Sequence, residues 1–176
     1  ISIKKFKNND GLIKVSLDWP HPLYIRIAKG GDPIITSVND TFKIGKGLII
    51  REPGKILIIS TGIMTNIALN VSYEFSRTNI NVGVLHMHTI KPIDAEILKK
   101  LIPEVETVIT LEEHYRDGGL GTEILEFCNE FMPEHCKKIK RLGLDKKFSR
   151  NYGSQIEHIN HNKLNKEAIK DIIKGQ

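Results

Sequence analysis

The sequence has no apolar run approaching the roughly 20 residues that cross a bilayer, which excludes a membrane-spanning helix. It has no basic start followed by an apolar stretch and a small-residue cleavage site, so no signal peptide is read. Cysteine is scarce. Cys128 and Cys136 are the two present, and without an export signal they read as reduced thiols rather than a disulfide. A cytoplasmic location is the expectation. Methionine is missing from the first position, where Ile1 stands. That suggests a trimmed or excised piece, although methionine removal or a chosen boundary leaves the same trace.

A strong charge of one sign is also missing. The 26 Lys and Arg exceed the 21 Asp and Glu by a net +5. A basic balance can mark a nucleic-acid footprint. Here the lysines are scattered, and their densest stretch, Lys137 to Lys147, overlaps a candidate buried strand. A solvated basic surface with no nucleic-acid or membrane partner is the better reading.

What is present is ordinary for a globular chain: 40% hydrophobic and 27% charged residues. At 176 residues there is room for one domain and an extension, domains typically holding about 100–200 residues. Residues 1–20 read as irregular, ending in a weakly amphipathic stretch. Pro22-Leu23-Tyr24-Ile25-Arg26-Ile27 reads as a strand, and Asp32 to Gly47 as a connector.

From Gly47 the pattern becomes regular. Gly47 to Ile50, the turn Glu52-Pro53-Gly54, and Lys55 to Ser60 suggest a hairpin. The run Ile56-Leu57-Ile58-Ile59 suits a strand covered on both faces. Ile67, Ala68, Val71 and Phe75 recur at helical spacing over 65–77. Further strands are expected at 81–86, 106–111 and 139–142. Asp94 is a candidate cap for a helix through Leu101, and Gly118-Gly119-Leu120-Gly121 leads into a helix to Phe131. Ser154 and Glu157 match a capping box, Asn165 can cap the last helix, and Leu164 can staple to Ile169. The expected fold is a three-layer α/β domain with a mostly parallel sheet of about five strands and one antiparallel edge strand.

Four features invite chemistry. The glycine turn could present backbone N–H groups to a phosphate. It lacks the spacing of a dinucleotide fingerprint and the lysine of a P-loop, so a packing turn is favoured. His86 and His88 fall on one face at a strand's C-terminal end, too few for a zinc site. The reading there is one buried histidine and one, His88, at the strand mouth where ligands gather. Glu112-Glu113-His114 could support acid–base work but also suits an exposed loop. Arg26, inside an apolar run, fits a structural ion pair and an anion site equally well.

Taken in order, these segments resemble the transketolase family. Pro22-Leu23-Tyr24-Ile25-Arg26 resembles the end of its pyrimidine-binding domain, and Thr41-Phe42-Lys43-Ile44-Gly45-Lys46-Gly47 the linker that follows. Thr89-Ile90-Lys91-Pro92-Ile93-Asp94 and the stretch Leu111-Glu112-Glu113-His114 through Gly121 are similar to two signatures of the C-terminal domain. The resemblance implies residues 1–35 as the remnant of the pyrimidine domain, 36–47 as linker and 48–176 as the C-terminal domain. It implies an enzyme that moves two-carbon ketol units between sugar phosphates with thiamine diphosphate and Mg. Cofactor and metal would lie in domains absent from this chain, so none is expected bound here and no catalytic residue is assigned. Arg26 then matches an arginine that contacts substrate phosphate, and His88 and His114 join it as candidate substrate-binding residues. Partners would be a second copy or the missing N-terminal domains or subunit. Alternatives are a deoxyxylulose-phosphate synthase, a 2-oxoacid dehydrogenase beta subunit, or a non-enzymatic assembly or regulatory module.

Overall fold

The computed structural model describes residues 2–3, 10–27, 35, 42–150 and 152–175. Apart from Ile35, the connector from Asp32 to Thr41 lies outside the described residues. Two elements precede it. The short strand β1 (Ser2–Ile3) pairs in parallel with β2 (Arg26–Ile27), and helix α1 (Asp10–Leu17) lies between them.

Both depart from the sequence reading. The stretch taken as irregular contains α1, whose Ile13 and Leu17 are solvent-exposed and so blur its apolar stripe. The strand expected over 22–27 shrinks to two residues. Pro22 has no N–H to donate, and the partner strand offers only Ser2 and Ile3.

The remainder builds one five-stranded sheet from β3 (Leu48–Arg51), β4 (Ile56–Ser60), β5 (Val82–His86), β6 (Thr107–Tyr115) and β7 (Ile139–Leu144), in the order β3-β5-β4-β6-β7. All neighbours are parallel except β3 and β5. The antiparallel edge strand is present as expected, but no hairpin joins β3 to β4. Both flanks of β4 are occupied, by β5 and β6. After Arg51 the chain crosses the end of β5 instead. Gly54 N–H donates to the Asn81 carbonyl at 3.3 Å, and Pro53 lies over Gly83, where a Cβ would come within 2.5 Å of the Pro53 Cα.

Strand alternation sorts the β4 run between two cores. Ile56 and Ile58 join Val82, Val84, Ile109 and Leu111 under helices α2 (Met64–Ser76), α5 (Gln155–His161) and α6 (Lys166–Lys174). Leu57 and Ile59 join Leu85, Met87 and Val108 under α3 (Ala95–Leu101), α4 (Leu120–Phe131) and a 3₁₀ helix, Pro133–Lys138. Each such fully buried side chain is worth roughly 1.5–3 kcal/mol, so these layers dominate the stability of the sheet.

The helix ends follow the sequence signals. Asp94 accepts from Ile97 N–H, Ser154 and Glu157 form the reciprocal box, and Asn165 accepts from Ala168 N–H. Leu164 and Ile169 are both buried in one core. Cys128 is buried and Cys136 half-buried, both as free thiols. Among the described residues no helix is long and apolar enough to cross a membrane.

Candidate functional site

β6 carries the chemistry-bearing residues out of the core. Its first six residues, Thr107 to Glu112, are buried, and Glu113, His114 and Tyr115 emerge progressively at the carboxyl edge of the sheet. The last buried residue is the ionisable Glu112, 1% exposed. Its two carboxylate oxygens accept from Leu120 N–H at 2.7 Å and Gly121 N–H at 2.8 Å. Burial pushes the Glu112 pKa up, while those two backbone donors, His114 and Arg141 oppose the rise. The start of α4 is therefore satisfied by the chain's own carboxylate, the group that a helix dipole favours there.

The glycines fit this arrangement closely. A Cβ on Gly119 would stand 1.9 Å from Glu112 Oε2, and one on Gly121 would stand 2.6 Å from Thr110 Oγ1. Gly118 adopts φ +74°, a region that disfavours side chains. The packing reading of the glycine turn holds. Glu112 had appeared in the sequence only as part of an acid-base triplet; its spacing just ahead of a Gly-Gly helix start was the signal for its capping role.

Glu113 faces the other way and meets Arg26. Arg26 Nη1 donates to the Glu113 carbonyl at 3.1 Å, and Nη2 lies 3.7 Å from the Glu113 carboxylate. Gln155 Nε2 donates to the same carboxylate at 2.8 Å. The Arg26 side chain keeps 49% exposure. With five N–H donors on a guanidinium, the ion pair leaves donors directed at solvent. These residues border a hollow of about 940 Å³ at the ends of β6 and β7. Beside them His114 is exposed, its Nδ1 2.9 Å from the Tyr115 carbonyl.

His88 lies elsewhere, beyond the end of β5 and two strands from β6. It is 2% exposed, with its ring 4.5 Å from Phe42 and its Nδ1 2.9 Å from Thr89 Oγ1. Burial pushes its pKa down to about 4. The expectation of one buried histidine and one at the strand mouth is corrected, because His86 is fully buried too, its Nδ1 2.7 Å from Thr65 Oγ1. The linker residue Phe42, itself packed with Val15, Ile25 and Ile44, roofs the strand mouth over His88. The structure thus brings Arg26 and Glu113 together and sets His88 and the His114 side chain apart from them.

A three-layer α/β domain with one reversed edge strand and a self-capped glycine turn is the class that these features define. The chain belongs to the transketolase family: the family model for the transketolase C-terminal domain matches residues 45–169. It is 34% identical over 119 residues to the 1-deoxy-D-xylulose-5-phosphate synthase of Clostridium tetani, covering 68% of this chain and 19% of that one. It is 35% identical over 118 residues to the 6-deoxy-6-sulfo-D-fructose transketolase subunit SqwH of Clostridium sp. strain MSTE9, covering 67% and 37%. Among solved structures it superposes with a TM-score of 0.81 and 27% identity on a split-gene transketolase described as an inactive beta4 tetramer, covering 90% of this chain and 51% of that one. The chain therefore spans about half or less of the length of each of these relatives. The family is of transferase type.

The described residues do not fit a thiamine diphosphate site. The one glycine-turn helix start that could have taken a diphosphate is filled by Glu112. No three His, Cys, Asp or Glu side chains converge on a common point among the described residues.

Proposed function

We propose that this chain supplies the C-terminal domain, residues 48–176, of a thiamine diphosphate- and Mg-dependent transketolase that moves two-carbon ketol units between sugar phosphates in the cytoplasm. Residues 1–35 end its pyrimidine-binding domain, and 36–47 are the linker. The cofactor and metal are held by domains or a subunit outside this chain, which is inert alone and works as a dimer or with that partner. The observation that carries the reading is the half-exposed guanidinium of Arg26, fixed by Glu113 at the carboxyl edge of a domain of this family. A guanidinium so held is preorganised for the two oxygens of a phosphate.

In this reading Arg26 binds the substrate phosphate, Glu113 and Gln155 fix its plane, and His114 follows Glu113 at the exposed end of β6. His88, buried beneath Phe42 and two strands away, stands outside this set. In the complete enzyme, Arg26→Ala should raise KM for a phosphorylated acceptor by about tenfold or more and leave an unphosphorylated analogue little changed. Equal KM values for variant and parent would end the assignment. Calorimetric titration of the chain alone with thiamine diphosphate and Mg is the companion test, and saturable micromolar binding would contradict the domain reading. A second reading, part of a deoxyxylulose-phosphate synthase, is favoured by the name of the Clostridium tetani relative. Assays of the complete enzyme for ketol transfer between sugar phosphates and for formation of 1-deoxy-D-xylulose 5-phosphate separate the two.

A further inference from the structure

The hollow bordered by Arg26 has a second wall that the reading of Arg26 does not use. It is formed by the segment after β7 and by α5, where Arg150, His158 and His161 line the hollow. The same three residues line a second hollow of about 470 Å³ beside Tyr152. They therefore form a ridge of one guanidinium and two imidazoles between two concavities.

The acids nearby are already engaged. Glu113 is held by Arg26 and Gln155, and Asp145 by Arg116 and by Lys147 at 3.2 Å. Glu157, in the second hollow, is held by the Ser154 backbone N–H and hydroxyl, each at 2.7 Å. Arg150 makes no ion pair with any described residue, so its guanidinium is open to an external partner at the ridge. Such a placement attracts an anion.

The rest of the lining is apolar. Tyr115, Leu144, Ile159 and Leu164 form the floor, and Phe148 stands at the rim with 95% of its surface exposed. Tyr152, at the second hollow, is fully exposed. An aromatic ring without cover, next to a concave apolar floor, offers a stacking face. A sugar, with hydroxyls on every side, would leave much of this lining unmatched. A flat ring would not. The volume lies within the roughly 300–1,000 Å³ of small-molecule sites, and the place is the carboxyl end of a parallel sheet, where ligands gather.

We infer that this hollow binds an anion carried on a flat heteroaromatic body, of the nucleoside monophosphate class. The ring lies against the apolar floor and Phe148, and the phosphate lies over Arg150, His158 and His161. Arg26 borders the same hollow, and the Arg150→Gln variant separates the two readings, since a ligand held by Arg26 alone keeps its affinity in that variant.

The test is calorimetric titration of the full chain with adenosine monophosphate, adenosine, ribose 5-phosphate and inorganic phosphate. Adenosine monophosphate should saturate with a Kd between about 10 µM and 1 mM. Adenosine and ribose 5-phosphate, each lacking half the recognised chemistry, should bind at least about tenfold more weakly. Arg150→Gln, at an exposed position, should keep the parent's thermal unfolding and lose about tenfold in affinity, and Phe148→Ala should lose about threefold or more. The inference is overturned if adenosine monophosphate shows no saturation by about 5 mM. It is equally overturned if ribose 5-phosphate binds as well as the nucleotide, or if Arg150→Gln leaves the affinity unchanged.

Discussion

Glu112 and Gly119 occupy a single space: the Glu112 carboxylate stands where a side chain on residue 119 would begin, 1.9 Å from that absent Cβ. Gly119 has φ −94°, which any residue adopts, so the requirement for glycine is steric and not conformational. Gly119→Ala must displace a buried carboxylate that satisfies two backbone donors. The expected loss is about 2–4 kcal/mol in urea unfolding. A loss below about 0.5 kcal/mol would mean that Glu112 can vacate the helix start freely.

His88 sets part of the acid limb of stability. Its folded pKa, about 4, lies below the ordinary 6.5, so the folded state binds fewer protons than the unfolded chain between those values. The contribution is fully present above pH 6.5 and is lost as pH falls toward 4. Its ceiling is about 3 kcal/mol, from roughly 1.4 kcal/mol per unit. Unfolding free energy measured across this window should fall less steeply in His88→Gln than in the parent. Parallel curves would show that His88 titrates normally.

Glu74 acts at lower pH. Bonds from Lys166 and Lys170 of α6 hold its pKa at about 2, below the ordinary 4.5. The folded state again binds fewer protons, so this stability is present above pH 4.5 and is lost as pH falls toward 2. The group is accessible to solvent, so the effect is small and screened by salt. Glu74→Gln should lower the melting temperature at pH 7 in dilute buffer, with the difference shrinking in about 1 M salt and toward pH 2. A difference that grows on acidification would refute the pairing.

Asp94 ties the linker to the first turn of α3. Its carboxylate accepts from Gly47 N–H at 2.9 Å, Ile97 N–H at 3.3 Å and Lys46 Nζ at 3.5 Å. Asp94→Ala removes a helix cap and leaves a half-buried linker N–H without this partner, an expected loss of about 1–3 kcal/mol. Hydrogen exchange should show faster loss of the Gly47 and Ile97 amides than of those in β4. Unchanged protection at Gly47 would remove the linker contact from the account.

Much of this fold was legible because its signals are local. The unbroken apolar run Ile56 to Ile59 announced a strand covered on both faces, and Asp94, Ser154 and Asn165 announced helix starts by side-chain chemistry alone. What failed was long-range. Nothing between Leu48 and Ser60 says that β3 pairs with β5, because that choice depends on β6 taking the other flank of β4. His88 could not be read as buried, since the ring that covers it belongs to Phe42, far back in the linker. Arg26 was legible as out of place in an apolar run, but its partner Glu113 is reached only through the fold.

The crossing of Pro53 over Gly83 also has a consequence in time. β3 leads the sheet in sequence, yet the strand it joins is β5, which follows β4 and α2 in the chain. Leu48 to Arg51 are thus made early and seated late. While the chain is being synthesised, this segment waits unpaired until Val82 to His86 have emerged and docked. The first strand of the domain is among its last to find a place.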